Sequence, residues 1–212
     1  MNNLNYEIKI IDNFLNKDDF NDLCNINIEK DIKEGFKVYH NEIDESGIRS
    51  SSIDENLLIR IHKNCHHKAI EVLKELYPEK QKLYDYSDFT LIVTSKNSKF
   101  PIHDDTPNKI LSGVIYLTPE KNSGTVFYND KNGNENSNVE WKQNRAVFFS
   151  RKERSTWHSY NGDGNNNRVA LVYNLMTSKI KDVCKVEGSN FFTTISRYKI
   201  NPYLYRFFKK TI

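Results

Sequence analysis

Cysteine is scarce, and the three present, Cys24, Cys65 and Cys184, cannot all pair with one another and show no CxxC spacing. That excludes a disulfide framework and a zinc ribbon, and reads as reduced thiols in a cytosolic protein. Long apolar runs are missing too: none approaches the roughly 20 residues of a membrane span. The start, Met1-Asn2-Asn3-Leu4-Asn5, has neither the basic nor the apolar part of a secretory leader. The expectation is a cytoplasmic chain with no membrane partner. Charge of one sign is also lacking, since 31 basic and 28 acidic residues leave a net charge of +3. With no dense basic stripe beyond the short Arg206–Lys210 tail, nucleic acid is not expected as a partner. Neither an internal repeat nor a G-x-S-x-G nucleophile turn is present.

What the chain does have is aromatic bulk. Only 37% of its 212 residues are hydrophobic, but these include 12 Phe and 12 Tyr, enough for an aromatic-rich core in one domain. Residues 6–15 alternate as a strand would. Asn16 then caps a helix opening Lys17-Asp18-Asp19, whose acidic residues suit the positive end of the helix dipole. Asp54 caps a second helix running to about Tyr77 and stopped by Pro78, with Leu58, Ile61, Cys65, Ala69, Val72, Leu73 and Leu76 as its buried stripe. From Tyr84 the period becomes strand-like: 86–94, 110–117, 124–128, 139–142, 145–150, 155–160 and 168–176 are short, aromatic and β-branched. Asn129–Asn138 and 161–167 read as polar hairpin loops. The pattern predicts an α+β, mainly β domain over 1–212: helical support at about 1–80, a sandwich or barrel core at about 84–177, and an aromatic, basic arm at about 178–212. Whether that arm is helical or extended, a lid or a dimer contact, the pattern leaves open, as it leaves open monomer or homodimer.

His103, Asp105 and His158 carry the chemistry. Two imidazoles and one carboxylate can occupy one face of a metal and leave the opposite positions open, the ligand logic of a non-haem Fe(II) oxygenase. On a strand, residues two apart face the same way, so His103 and Asp105 converge while Asp104 points elsewhere. Arg168 opens the last core strand, with Ala170, Val172 and Asn174 on its face. An arginine aimed into an apolar interior needs an anion, because an unpaired buried charge costs several kcal/mol. A second histidine cluster, His62, Cys65, His66 and His67, lies on the second helix, but no Glu follows His62 as a zinc-protease motif requires. It reads as a solvated helix face with a buried thiol.

The blocks FPIHDDTP, ILSGVIYLTPE, SGTVFY, NRAVFFS, TWHSY and NRVALVY, in this order over residues 86–176, resemble the 2-oxoglutarate/Fe(II) oxygenase superfamily, and within it the prolyl 4-hydroxylase-like group. IDNFL at 11–15 and GIRSSS at 47–52 resemble that group's leading region. The resemblance implies a double-stranded β-helix (jelly-roll) core. It implies Fe(II) held by His103, Asp105 and His158, and Arg168 paired with the distal carboxylate of 2-oxoglutarate. Tyr116 matches a position whose hydroxyl shares that carboxylate, and Thr125 sits where a small-residue turn meets the co-substrate. Two family positions differ: Leu91–Thr94 replaces a tyrosine before the first ligand, and Ala170 replaces a hydroxyl residue two after the arginine. Tyr84, Tyr86 or Thr94 are the substitutes on offer.

The implied activity is hydroxylation coupled to decarboxylation of 2-oxoglutarate to succinate. O2 is consumed, and ascorbate is the expected auxiliary reductant. Asp105 argues against halogenation, since the family's halogenases lack this carboxylate. The expected substrate is a prolyl or peptidyl side chain, or else a polar small molecule such as an amino acid or sugar. Thr156, Tyr160 and the loops 95–100, 129–138 and 161–167 would line the way in. A jelly-roll module that binds without turnover is the alternative class.

Overall fold

The computed structural model describes residues 4–208, so Met1–Asn3 and the last residues of the basic tail lie outside the described residues. Helix α1 (Lys17–Asn25) starts at Asn16, whose side chain accepts from Asp19 N–H at 2.8 Å. Helix α2 (Glu55–Leu76) starts at Asp54, which accepts from Leu57 N–H at 2.8 Å. Each cap satisfies a backbone donor that the first turn leaves unpaired.

Twelve strands follow in chain order: β1 (Lys9–Ile11), β2 (Phe36–Tyr39), β3 (Glu42–Asp44), β4 (Gly47–Ser50), β5 (Tyr86–Thr94), β6 (Lys99–His103), β7 (Lys109–Thr118), β8 (Thr125–Tyr128), β9 (Asn136–Val139), β10 (Ala146–Phe149), β11 (Trp157–Asn161) and β12 (Arg168–Met176). The major sheet runs β1-β10-β7-β12-β5-β3-β4, with β2 also on β5; the minor sheet runs β6-β11-β8-β9. All the pairings are antiparallel, and from β5 onward the chain passes back and forth between the sheets. This is the jelly roll. Two helices, α3 (Ile180–Glu187) and α4 (Phe191–Phe208), complete the chain.

Alternation on the major sheet separates two kinds of interior. Phe89, Leu91, Val93, Ile115, Leu171 and Tyr173 face the helices and pack with Leu58, Ile61, Cys65, Ala69 and Leu73 of α2. Gly113 belongs to this closely packed face, since a Cβ there would run into Phe148. The residues between them face the minor sheet, where Tyr116, Phe127, Val139, Val147 and Phe149 form a smaller core at one end. Beside it lies a cavity lined by Phe149, Ile92 and Val172 together with polar groups. That is where the site lies.

The structure corrects the strand pattern in several places. The first strand is only Lys9–Ile11, and the N-terminal region adds β1–β4 to the major sheet as well as helices. β6 was not expected as a full strand. β9 falls at Asn136–Val139, inside the expected loop, because each of its residues pairs with β8. Over its described residues the C-terminal arm is mainly helical, as α3 and α4.

Candidate active site

His103 ends β6 and His158 lies on β11, and the two are direct cross-strand partners, with ring centroids 4.3 Å apart. Each ring is oriented by its own strand. The His103 Nδ1 lies 2.8 Å from the Pro101 carbonyl, and the His158 Nδ1 lies 3.1 Å from the Thr156 carbonyl. A carbonyl only accepts, so both Nδ1 atoms carry a proton and Nε2 is the atom of each ring available to a metal. Asp105 follows just beyond β6, its Oδ2 3.9 Å from His158 Nε2. One ligand atom from each of the three lies within 4.8 Å of the others, and among the described residues this is the cluster suited to a metal. The donor set fits Fe(II): two imidazole nitrogens and one carboxylate oxygen.

The electrostatics keep the set in ligating form. Burial opposes ionisation of Asp105, but Lys109 and the two imidazoles hold its carboxyl far below the usual carboxylate range. Lys109 Nζ donates to Oδ1 at 2.7 Å and Ser112 Oγ donates to Oδ2 at 2.6 Å, orienting the carboxylate from behind. Burial and the neighbouring His103 push His158 down to about 4, so it is neutral at physiological pH. Phe127 and Phe149 pack against its ring.

Arg168 lies on the same cavity, which holds about 190 Å³ and is also lined by His103, Asp105, His158, Thr125, Tyr160 and Asn174. Its guanidinium carbon sits 3.2 Å from the centroid of the Tyr160 ring. Burial weakens its protonated form, and its Nε and Nη1 have no hydrogen-bond partner in the structure. Directly opposite on β5 is Thr94, fully buried, with its hydroxyl equally unpartnered. Buried donors are rarely left unsatisfied, so this corner is built for an anion. Thr94 is therefore the hydroxyl that shares the pocket face with Arg168. Tyr84 bonds Ser87 and packs on His66 at the helix side, and Tyr86 lies under Arg49. Tyr116 is buried behind the cavity and donates to Thr125 Oγ1 at 2.8 Å, so it reaches the pocket through Thr125.

Lys109, Ser112 and a buried ionic chain were missed in the sequence. The chain runs from Asp104 to Arg197 (2.8 Å), to Glu153, to Arg151, to Glu187 (2.8 Å) and to Lys80 (2.7 Å). Arg151 Nε also donates to the Asp105 carbonyl at 3.1 Å. Only the i, i+4 spacing of Asp105 and Lys109 was a local signal. Two expectations change. Thr156 is fully buried and bonded to Lys152 and does not line the cavity, whereas Tyr160 does line it, stacked on Arg168. His62 and His66 are partly buried against Tyr173 and Tyr84 rather than solvated.

No family model and no curated protein matches the chain in sequence. Solved structures do match in shape. A 2OG-Fe(II) oxygenase family oxidoreductase from Burkholderia pseudomallei aligns with TM-score 0.57 at 12% identity, over 80% of this chain and 84% of the other. A Trichoplax adhaerens prolyl hydroxylase, solved with a hypoxia inducible factor oxygen degradation domain peptide fragment, aligns with TM-score 0.55 at 14% identity, over 84% and 87%. A Pseudomonas putida prolyl-4-hydroxylase aligns with TM-score 0.53 at 13% identity, over 82% and 94%. In fold, the chain is a double-stranded β-helix, the fold it shares with these solved structures.

Proposed function

We propose that the protein is an Fe(II)- and 2-oxoglutarate-dependent dioxygenase that hydroxylates an organic substrate. The observation that carries this reading is one cavity lined both by the His103–Asp105–His158 face and by the orphaned guanidinium of Arg168. His103, His158 and Asp105 would hold the metal through Nε2, Nε2 and a carboxylate oxygen. Bound there, Fe(II) supplies the redox centre for activating O2. Lys109 and Ser112 keep the carboxylate oriented. Arg168 and Thr94 take the distal carboxylate of 2-oxoglutarate, with Thr125 and Tyr116 behind it. Phe127 and Phe149 keep water away from His158. The overall reaction balances as 2-oxoglutarate, O2 and R–H giving succinate, CO2 and R–OH, with one oxygen atom in succinate and one in the product. A prolyl or other peptidyl side chain is the first substrate class, supported by the shape shared with prolyl hydroxylases.

The test is succinate release from 2-oxoglutarate by the purified protein with Fe(II) and O2, without added substrate. Slow turnover that Asp105→Ala abolishes is expected. A wild-type protein that binds neither Fe(II) nor 2-oxoglutarate would overturn the reading.

A further inference from the structure

A second cavity of about 250 Å³ meets the first at His103 and Asp105, on the flank away from Arg168. One wall is β6 and the loop after it, with Phe100 and Pro101 on the strand and Pro107 in the loop; the other is α4, with Tyr198, Pro202 and Tyr205. The α4 residues on the cavity, Thr194, Arg197, Tyr198, Asn201, Pro202 and Tyr205, recur at helical spacing, so a single face of that helix is turned toward the metal ligands. Asp105 keeps its Lys109 partner behind the wall, and the other charged groups in this cavity are engaged in ion pairs of their own. Arg197 bridges Asp104 and Glu153, and Arg151 bridges Glu153 and Glu187. Arg197 is 5% exposed at its side chain and Asp104 2%. The two cavities thus differ in kind: one offers unpaired donors to an anion, and the other offers aromatic and proline surface around an ion network already neutralised.

We propose that the cleft between α4 and the His103–Pro107 loop binds the molecule to be oxidised, and that it selects an uncharged, apolar group such as an aliphatic or aromatic ring. This rests on the oxygenase reading of the neighbouring site and deepens it. A charged group entering the cleft would lose its water and meet charges already paired among the described residues, whereas a neutral ring gains by burial against Tyr198, Tyr205 and the prolines. At roughly 30 Å³ for each water-sized group the cleft has room for about eight such groups, the size of one ring with a short substituent. The sequence offered a prolyl or peptidyl side chain or a polar small molecule, reached through polar loops. The α4 cleft adds an apolar approach to the same residues.

The test uses the full chain loaded with Mn(II), a redox-silent paramagnetic stand-in, and 2-oxoglutarate, with three probes that share one ring: cyclohexanemethanol, cyclohexanecarboxylate and cyclohexylmethylammonium. Paramagnetic broadening of the ring protons reports approach to the metal. The neutral probe should be broadened at concentrations about tenfold lower than either charged probe, reflecting desolvation of the charge. Asn201→Trp, which fills the cleft, and Tyr205→Ser, which removes a wall, should each abolish that preference. Both variants should still bind Mn(II) and 2-oxoglutarate, which also shows that they are folded. Charged probes broadened equally, or a neutral probe unaffected by both variants, would overturn the proposal while leaving the co-substrate site standing. Failure of the wild type to bind Mn(II) and 2-oxoglutarate would overturn both.

Discussion

Arg168 and Thr94 face each other across the β12–β5 pair, and both end in buried polar atoms that no other group satisfies. Neighbouring strands place such partners about 5 Å apart at Cβ, so the two side chains converge on one point. A protein carries unsatisfied groups of this kind at a cost, and a ligand that removes the cost binds tightly there.

Arg168→Met should therefore separate stability from binding. The folded protein should gain roughly 1–3 kcal/mol in urea denaturation, because two unpaired buried donors are gone. 2-Oxoglutarate binding, followed by calorimetry, should weaken by about 2–4 kcal/mol. Thr94→Val should cost binding about 1 kcal/mol. A variant less stable than wild type yet undiminished in co-substrate binding would show that Arg168 is a structural residue.

Arg197 ties α4 to the metal-face loop through Asp104, the residue before Asp105. Arg197→Ala leaves Asp104 without its arginine partner in a buried position, and unfolding free energy should fall by about 3–5 kcal/mol. Metal affinity should fall as well, because the loop would lose its tie to α4 and rest on the Arg154 N–H to Asp104 and the Arg151 Nε–H to the Asp105 carbonyl, each at 3.1 Å. Hydrogen exchange would register faster opening of residues 104–107. If exchange there stayed at the wild-type rate, the clasp would have no hold on the loop.

Stability should also depend on pH through His62. Burial and the nearby His66 lower its pKa from 6.5 to about 4, and burial lowers His66 too. The folded protein keeps His62 neutral, while the unfolded chain takes up a proton near 6.5. The contribution is complete above that pH and is lost as pH falls toward 4. The urea midpoint should decline across this window, and His62→Phe should flatten the decline. An equal slope in the two proteins would place the acid sensitivity elsewhere.

Local pattern was enough where local physics decides. Asn16 and Asp54 cap the helices that their side chains suggest, and 86–94 and 168–176 are strands over their full expected lengths. The spacing His103-x-Asp105 marked two of the three residues that converge in the structure, although Asp105 lies just past the end of β6 and not on the strand that alternation assumed. β9 was hidden because Asn136–Asn138 has no strand propensity and is extended only by pairing with β8.

The sequence by itself marked the run of core strands, read as a sandwich or barrel, and the candidate residues His103, Asp105, His158 and Arg168; the resemblance of the strand blocks to a known family added the jelly roll. Strand runs repeat at the backbone's own period, so local pattern shows them. The tertiary structure decided what meets what. It brought His158 into register with His103, put Thr94 opposite Arg168, and folded α4 over the ligands so that Arg197 reaches Asp104. Aromatic residues surround α4 on both its covered and its exposed faces, Tyr198 and Tyr205 toward the cleft and Phe192, Tyr203 and Phe207 toward solvent, so no one-sided stripe announced its role. Contacts between residues far apart in the chain have no local period, and only packing selects among them.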